Sequence, residues 1–328
     1  MKYFVKTFGC QMNESDSERI SSFLEDQGYI NAKNINNADL IIVNACSVRQ
    51  TAIDRILGLN PIFKKLKAKK ILTGCVLKQD KSKFEKYFDE ILSIQELLGQ
   101  EYFKIRPKYL FKESAFVPIM TGCNNYCSYC AVPYVRGKEI SRKPKEIIKE
   151  IKELIKKNYK QITLLGQNVN SYKYGFSKLL KELNNLQGNF KIHFLTNHPK
   201  DMSDELINTI AESKKIAKEI HLPLQSGDDN ILKKMNRKYT KKQYLDLIKK
   251  IKKAIRNVKI STDVIVGFPG ETKKQFENTV KVFKKVNYDT AYINKYSTRQ
   301  GTESSKLKDN VSWNEKKQRW KILNDLIK

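Results

Sequence analysis

Apolar and polar positions fall into two alternating periods from the first residues onward. Lys2 to Phe8 has the pattern of a strand, and Ser15 to Asp26 carries Ile20, Phe23 and Leu24 at helical spacing. Asp39 to Asn44 is a short, unbroken apolar run, the signature of a strand buried on both faces of a parallel sheet. Ala52 to Leu57 reads as helix, Lys69 to Thr73 as a third strand, and residues 81–98 as helix again. The alternation predicts an α/β chain that opens with a small doubly wound domain over residues 1–112, ending in a polar linker at 101–114.

A second alternating run follows. Its predicted strands are Ala115–Met120, Gln161–Val169, Phe190–Thr196, Glu219–Leu224, Val258–Val266 and Thr290–Tyr296. Predicted helices over 144–158, 177–185, 203–217, 229–235, 240–256 and 272–286 fill the gaps. Six strands separated by helices predict a partial (β/α)6 barrel over residues 113–305, with chemistry at the strand carboxyl ends. In the tail, residues 306–328, Ser312 and Glu315 form a capping box that opens a last helix with Trp313, Trp320, Leu323 and Leu326.

Composition narrows the class. Hydrophobic residues make up 40% of the 328 positions and aromatics 10%, enough for a core. No apolar run approaches the ~18 residues needed to span a bilayer, and the start MKYFVKTFGCQMNESDSE fits neither a signal nor a transit peptide. A soluble, cytoplasmic protein without membrane contact is expected. The net charge is +28, of which residues 117–300 carry +20. That surplus points to a polyanion, with nucleic acid the default partner. The bland alternative is an AT-rich genome, which enriches Lys, Asn and Ile together without selection for binding.

Six cysteines in a cytosolic chain do not suggest disulfides. They form two sets of three. Cys10, Cys46 and Cys75 each follow a predicted strand of the first domain, where open α/β sheets form their ligand crevice, so a shared metal site is expected there. Cys123, Cys127 and Cys130 form a CxxxCxxC loop just after the first barrel strand. Structural zinc is the plain alternative, but it wants four closed ligands. The next histidine after the loop is His193, and three thiolates with an open position suit an iron–sulfur cluster. His193, His198 and His221 read as structural or substrate-contacting residues. The run Lys233-Lys234-Met-Asn-Arg237-Lys238, with Lys241, Lys242, Lys249, Lys250, Lys252 and Lys253, reads as a solvated face or as contacts to RNA phosphates.

The Cys123–Cys130 loop, with Tyr129 before its last cysteine, resembles the radical S-adenosylmethionine signature. The stretches Thr7-Phe-Gly-Cys10-Gln-Met-Asn13-Glu-Ser-Asp16-Ser, Asn44-Ala-Cys46-Ser-Val-Arg49 and Gly74-Cys75 resemble the N-terminal domain of the methylthiotransferases. Gly122 through Pro133, Arg136, Gly137, Glu139, Ser141 and Arg142, together with Leu165-Gly-Gln167-Asn168-Val-Asn-Ser-Tyr172, are similar to the MiaB-type tRNA branch of that family. Cys10-Gln11-Met12-Asn13 favours the isopentenyl-adenosine branch over its sisters, which act on threonylcarbamoyl-adenosine in tRNA or on a ribosomal-protein aspartate.

The resemblance implies two 4Fe–4S clusters and S-adenosylmethionine as cofactors. An auxiliary cluster would sit on Cys10, Cys46 and Cys75 in the N-terminal domain. A catalytic one would sit on Cys123, Cys127 and Cys130 in the radical S-adenosylmethionine domain and cleave the cofactor to a 5′-deoxyadenosyl radical. Tyr129, Gln225, Ser226, Gly227, Asp263, Gly267 and Glu271 would contact the cofactor. The implied reaction transfers a methylthio group to C2 of isopentenyl-adenosine beside the anticodon. Implied partners are that tRNA, an external electron donor, and a sulfur source or cluster-assembly proteins, with the enzyme a monomer. The family's C-terminal RNA-binding domain, of the TRAM type, is expected to be missing after residue 305. A non-catalytic iron–sulfur RNA-binding protein is the alternative from another class.

Overall fold

The computed structural model describes residues 1–46, 50–99 and 102–327. Ser47, Val48 and Arg49 of the second motif lie outside the described residues, as do Gln100, Glu101 at the linker's start, and Lys328.

The first sheet has five parallel strands, β1 (Lys2–Phe8), β2 (Ile30–Asn31), β3 (Leu40–Cys46), β4 (Lys69–Cys75) and β5 (Glu90–Ile91), in the order β2-β1-β3-β4-β5. Side chains of β3 alternate between two separate cores. Ile41, Val43 and Ala45 pack with Ile53, Ile56, Phe63, Leu72 and Phe84. Leu40 and Ile42 pack on the other face with Tyr3, Ile20, Leu24 and Tyr102. This is why the β3 run has no polar face: both sides of the sheet are covered by helices.

Two expectations change. The first helix begins at Gln11 rather than Ser15, because the Asn13 side chain accepts a hydrogen bond from the Cys10 N–H (3.3 Å) and ties off the helix start. The expected helix over 81–98 breaks into helices Lys78–Phe84 and Ile94–Leu98 with β5 between them. Asp89 accepts a bond from the Lys70 N–H (2.6 Å), and β5 then pairs with β4.

The second unit holds β6 (Ser114–Pro118), β7 (Met120–Thr121), β8 (Ile140–Ser141), β9 (Gln161–Leu165), β10 (Lys191–Phe194), β11 (Glu219–His221), β12 (Lys259–Val266) and β13 (Thr290–Lys295). Strands β6, β9 and β10 form one parallel set and β11, β12 and β13 another. The Ile192–Ile216 bridge joins the sets into an open arc of six, in which, among the described residues, β6 pairs with β9 alone and β13 with β12 alone. Helices such as Pro144–Lys156, Lys241–Ala254 and Lys273–Val286 cover its outside. Several strands are shorter than the sequence suggests because their carboxyl ends peel off into mouth loops: β9 ends at Leu165 and β11 at His221. A short antiparallel pair, β7 with β8, closes the base of the cysteine loop. The last helix, Trp313–Asn324, is capped by Ser312, whose hydroxyl accepts from the Glu315 N–H (3.2 Å). Leu323 of this helix is buried, whereas Trp313 lies exposed with the Lys295 ammonium 5.5 Å from its ring.

The seam between the units is charged. Glu150 receives Arg142 and the Tyr109 hydroxyl, with Arg19 of the first unit 3.9 Å away. The connecting segment straps onto helix Gln11–Asp26, where the Leu110 N–H donates to the fully buried Glu18 carboxylate (3.0 Å). Burial raises the Glu18 pKa from 4.5 to about 7, and the Leu110 N–H only partly opposes it. Between those values the folded chain holds more protons than the unfolded one, so stability falls as pH rises through about 7. Replacing Glu18 by Gln is expected to remove this slope and to stabilise the fold by about 3 kcal/mol at pH 8. Urea titrations of both proteins between pH 5 and 8 check it; parallel curves reject it.

Candidate active site

Cys10 caps the helix after β1, and Cys46 and Cys75 are the last residues of adjacent strands, paired in register. All three thus sit at the carboxyl edge of the first sheet. Asn13 and Asn44 lace this edge together. Asn13 donates to Asn44 Oδ1 (3.0 Å), and Asn44 donates to Asn13 O (2.7 Å) and Ser17 Oγ (2.9 Å). Gly74 has φ +103°, and a Cβ there would lie 2.3 Å from the Ala45 carbonyl, so only glycine lets β4 deliver Cys75 beside Cys46. The buried Cys75 thiol is pushed well above its ordinary pKa by its bond with Cys46 and by burial, while Arg136 pulls it down. The surrounding protein and then Cys75 push Cys10 up as well.

The second triad occupies the loop between β7 and β8. The Cys123 N–H donates to Gly137 O (3.1 Å), and Asn124 and Glu139 exchange bonds across the loop base. Tyr126 stands at φ +47°, a left-handed conformation costly for a side chain of this size, and Asn236 donates to its carbonyl (2.9 Å). Ser128 bonds to the Lys234 and Met235 carbonyls (2.8 and 3.0 Å). Arg237 donates to Cys127 Sγ (3.4 Å) and Pro223 O (3.1 Å), with Nε on the Tyr239 hydroxyl (2.9 Å). Burial and then Cys127 push Cys130 up to about 12.

The donor chemistry of each triad can be tested against zinc and iron. Among the described residues no three Cys, His, Asp or Glu side chains converge on a point as a single metal ion requires. Each triad offers three thiols, with no fourth ligand among the described residues, which does not make a closed tetrahedral zinc site. It fits a cubane with one iron left open. Cys10, Cys75, Cys123 and Cys130 hold their protons above the ordinary thiol range, and bound iron would supply the cation against which they ionise.

The barrel mouth tests the fit of S-adenosylmethionine. Gln167, Asn197 and Gln225 follow β9, β10 and β11, and each has a buried side-chain carbonyl oxygen with no partner among the described residues. Gln225 is held at φ +64°, with its N–H on Asp263 O (2.8 Å) and its carbonyl accepting from the Ile265 N–H (3.0 Å). Three adjacent strand ends therefore present buried acceptors. A ligand carrying an ammonium group and ribose hydroxyls is suited to satisfy them. Tyr129 packs beside this region against Ile231, Met235, Phe268 and Tyr296.

The other candidate contacts are engaged by protein. Ser226 Oγ accepts from the Asp228 N–H (3.2 Å). Gly227 donates to Thr279 Oγ1 (2.9 Å), and a Cβ there would lie 2.6 Å from Thr279 Cα, so its close approach is to a helix. The Glu271 carboxylate holds the Gly267 N–H (2.7 Å) and Arg319 (2.6 Å), tying this loop to the last helix. Asp263 accepts from His221 Nε2 (2.8 Å), whose Nδ1 meets Ser261 Oγ (3.0 Å). His193 faces Glu219 at 3.6 Å. His198 is buried; burial, with Arg237 and Lys200, lowers its pKa to about 2, so it stays neutral and its Nδ1 accepts from the Lys200 N–H. Arg136 Nε donates to Cys75 Sγ (3.0 Å), a contact that its place in the cysteine-loop motif did not reveal.

Arg237 lies in the run read as a solvated or RNA-facing surface, yet it is only 8% exposed and bonds Cys127. The signal was available: Met235, Arg237 and Tyr239 are buried at every second position, while Lys238 and Thr240 point outward. Removing an outer-shell partner of this kind typically costs ~10–100-fold. Arg237→Met is expected to lower 5′-deoxyadenosine formation by that factor, with less iron held by a chain that retains only the second triad. Full activity and iron would reject the role.

Comparison with known proteins adds relatives to this geometry. Residues 117–283 match the radical SAM superfamily and residues 2–95 match the uncharacterized protein family UPF0004. A tRNA-2-methylthio-N(6)-dimethylallyladenosine synthase from Clostridium botulinum is 45% identical, covering 99% of this chain and 81% of its own length. Its counterpart from Clostridium tetani is 42% identical over 99% of this chain and 80% of that protein. Among solved structures, the radical S-adenosylmethionine methyltransferase TsrM from Kitasatospora setae superposes with a TM-score of 0.67 at 12% identity, covering 93% of this chain and 77% of that one. The cobalamin-dependent radical enzyme OxsB gives 0.58 at 10% identity, over 99% and 56% of the two chains. At such identities the structures share the fold alone.

Proposed function

Because the chain belongs to the tRNA-2-methylthio-N(6)-dimethylallyladenosine synthase family of radical S-adenosylmethionine enzymes, we propose that it places a methylthio group on C2 of isopentenyl-adenosine beside the tRNA anticodon. When bound, two 4Fe–4S clusters and S-adenosylmethionine would supply the electron, the radical and the methylthio group. The chain's own residues hold, orient and shield. Cys123, Cys127 and Cys130 bind one cluster, with Arg237 against Cys127. Cys10, Cys46 and Cys75 bind the other, with Arg136 against Cys75. Gln167, Asn197 and Gln225 offer acceptors to the cofactor's amine and hydroxyls, and Tyr129 packs into the Ile231–Phe268 cluster. Asp263, fixed by His221, lines the inner face of the arc.

The observation that carries the reading is the pairing of two three-thiol sites, joined through Arg136, in a chain of this family. An external one-electron donor, a sulfur source, monomeric action and a cytoplasmic setting complete the proposal. The relatives' names favour the isopentenyl-adenosine branch over the threonylcarbamoyl-adenosine and ribosomal-protein branches.

Nucleoside mass spectrometry of tRNA, from cells with and without the gene, tests it. The methylthio derivative is expected to vanish and its unmethylthiolated precursor to accumulate. Unchanged methylthio content would overturn the reading. Anaerobic reconstitution is expected to give a brown protein that makes 5′-deoxyadenosine from S-adenosylmethionine, which a non-catalytic binder does not do.

A further inference from the structure

We infer that Arg136 is a positioning residue for the auxiliary site: its hydrogen bond to Cys75 raises the reduction potential of the cluster held there and ties that site to the Cys123–Cys130 loop. This rests on the reading that Cys10, Cys46 and Cys75 hold a cluster.

Arg136 ends the short helix Val132–Arg136, six residues beyond Cys130, and is 7% exposed. Its Nε donates to Cys75 Sγ (3.0 Å), and a terminal nitrogen donates to Asp16 Oδ2 (2.7 Å). Asp16 is fully buried, and its other oxygen takes the Tyr102 hydroxyl (2.7 Å). Asp16 in turn lies on helix Gln11–Asp26, whose N-cap is Cys10. One planar guanidinium therefore touches the auxiliary triad directly, reaches its Cys10 through a helix, and is tethered to the other triad by a short chain segment. Lysine has no rigid fork with which to serve sulfur and carboxylate together.

The chemical consequence follows from charge. Reduction makes a thiolate-bound cluster more negative, and hydrogen bonds to its sulfurs and nearby cations favour that state. Arg136 supplies both in a buried setting where charges act strongly. Arg299 lies within electrostatic reach of Cys46, Asp80 and Asp54, a second cation on the same edge. A purely structural brace makes a different prediction. Removing either end of the Arg136–Asp16 pair breaks the same contact, so both changes must act alike.

The full chain carrying C123A, C127A and C130A holds only the auxiliary triad. In it, iron per chain and the midpoint potential from an anaerobic redox titration followed by electron paramagnetic resonance are measured for the parent, R136Q, D16N and the double variant. The expected result is iron content close to the parent's, a potential shifted negative in R136Q and positive in D16N, with the double variant between them. Single variants that shift the same way, or an unshifted R136Q, overturn the proposal. If R136Q alone fails to fold, the double variant against D16N gives the same comparison, and equal potentials overturn it. A parent that binds no iron overturns the cluster reading itself and this proposal with it.

Discussion

Replacing Cys75 by alanine is expected to remove about half of the reconstituted iron and to abolish methylthio transfer, while 5′-deoxyadenosine still forms from S-adenosylmethionine. Cys75 is the centre of its triad: it pairs with Cys46, acts on Cys10, and receives Arg136. A cluster that loses this ligand loses its only buried anchor among the three thiols. The Cys123–Cys130 loop keeps its own supports, the carbonyls of Lys234 and Met235, the Asn236 side chain and Arg237. The converse change, Cys127→Ala, is expected to stop both reactions. Iron counts, with mass spectrometry of 5′-deoxyadenosine and of the modified nucleoside, separate the two. A Cys75→Ala protein that retains its full iron, or that loses 5′-deoxyadenosine as completely as Cys127→Ala, rejects this division of labour.

Charge reversal at Lys242 and Lys274 is expected to weaken tRNA binding by one to two orders of magnitude, while reversal at Lys249 and Lys285 changes little. The topology sorts these lysines. In a parallel β/α arc each helix starts at the mouth and runs away from it. Lys242 and Lys274 lie in the first turns of Lys241–Ala254 and Lys273–Val286, whereas Lys249 and Lys285 lie farther down or at the far end. Lys234 also belongs to the mouth group, since its ammonium lies where a Cβ on Gly270 would meet it at 2.9 Å. Each phosphate contact removed lowers the slope of log affinity against log salt by about one. Binding of an anticodon stem-loop at several salt concentrations reads both quantities. Equal losses from the two pairs reject a mouth-side docking surface and leave the net charge of +28 as a diffuse attraction.

The legible features were those carried by long patterns. The β3 run announces a strand buried on both faces, and a cysteine at the carboxyl end of each of three parallel strands announces one crevice, because those ends share an edge. The Cys123–Cys130 loop is local and readable by spacing alone. Long-range partners left no such trace. Arg136 meets Asp16 across 120 positions, and Arg237 meets Cys127 across 110. Strands β2 and β5 have two residues each, too few to display a period, and exist because a neighbouring strand offers its ladder. Gly227 and Gly267 looked like places for ligand approach, but a glycine's missing Cβ does not say which neighbour comes close. Here these are Thr279 and Lys316.

The gap between β6 and β13 bears on what size of substrate the arc can take. A complete ring of eight strands packs its lumen with side chains and admits guests only through a narrow rim. Six strands curled like a cupped hand stop short of closing: helix Gln11–Asp26 of the first unit packs on β6 and the last helix packs on β13, while His221, Ser261 and Tyr292, with Glu219 and Lys259 at the strand starts, border a cavity of about 330 Å³. The width open to a substrate is then set by how the first unit seats against the arc, and not by strand number alone.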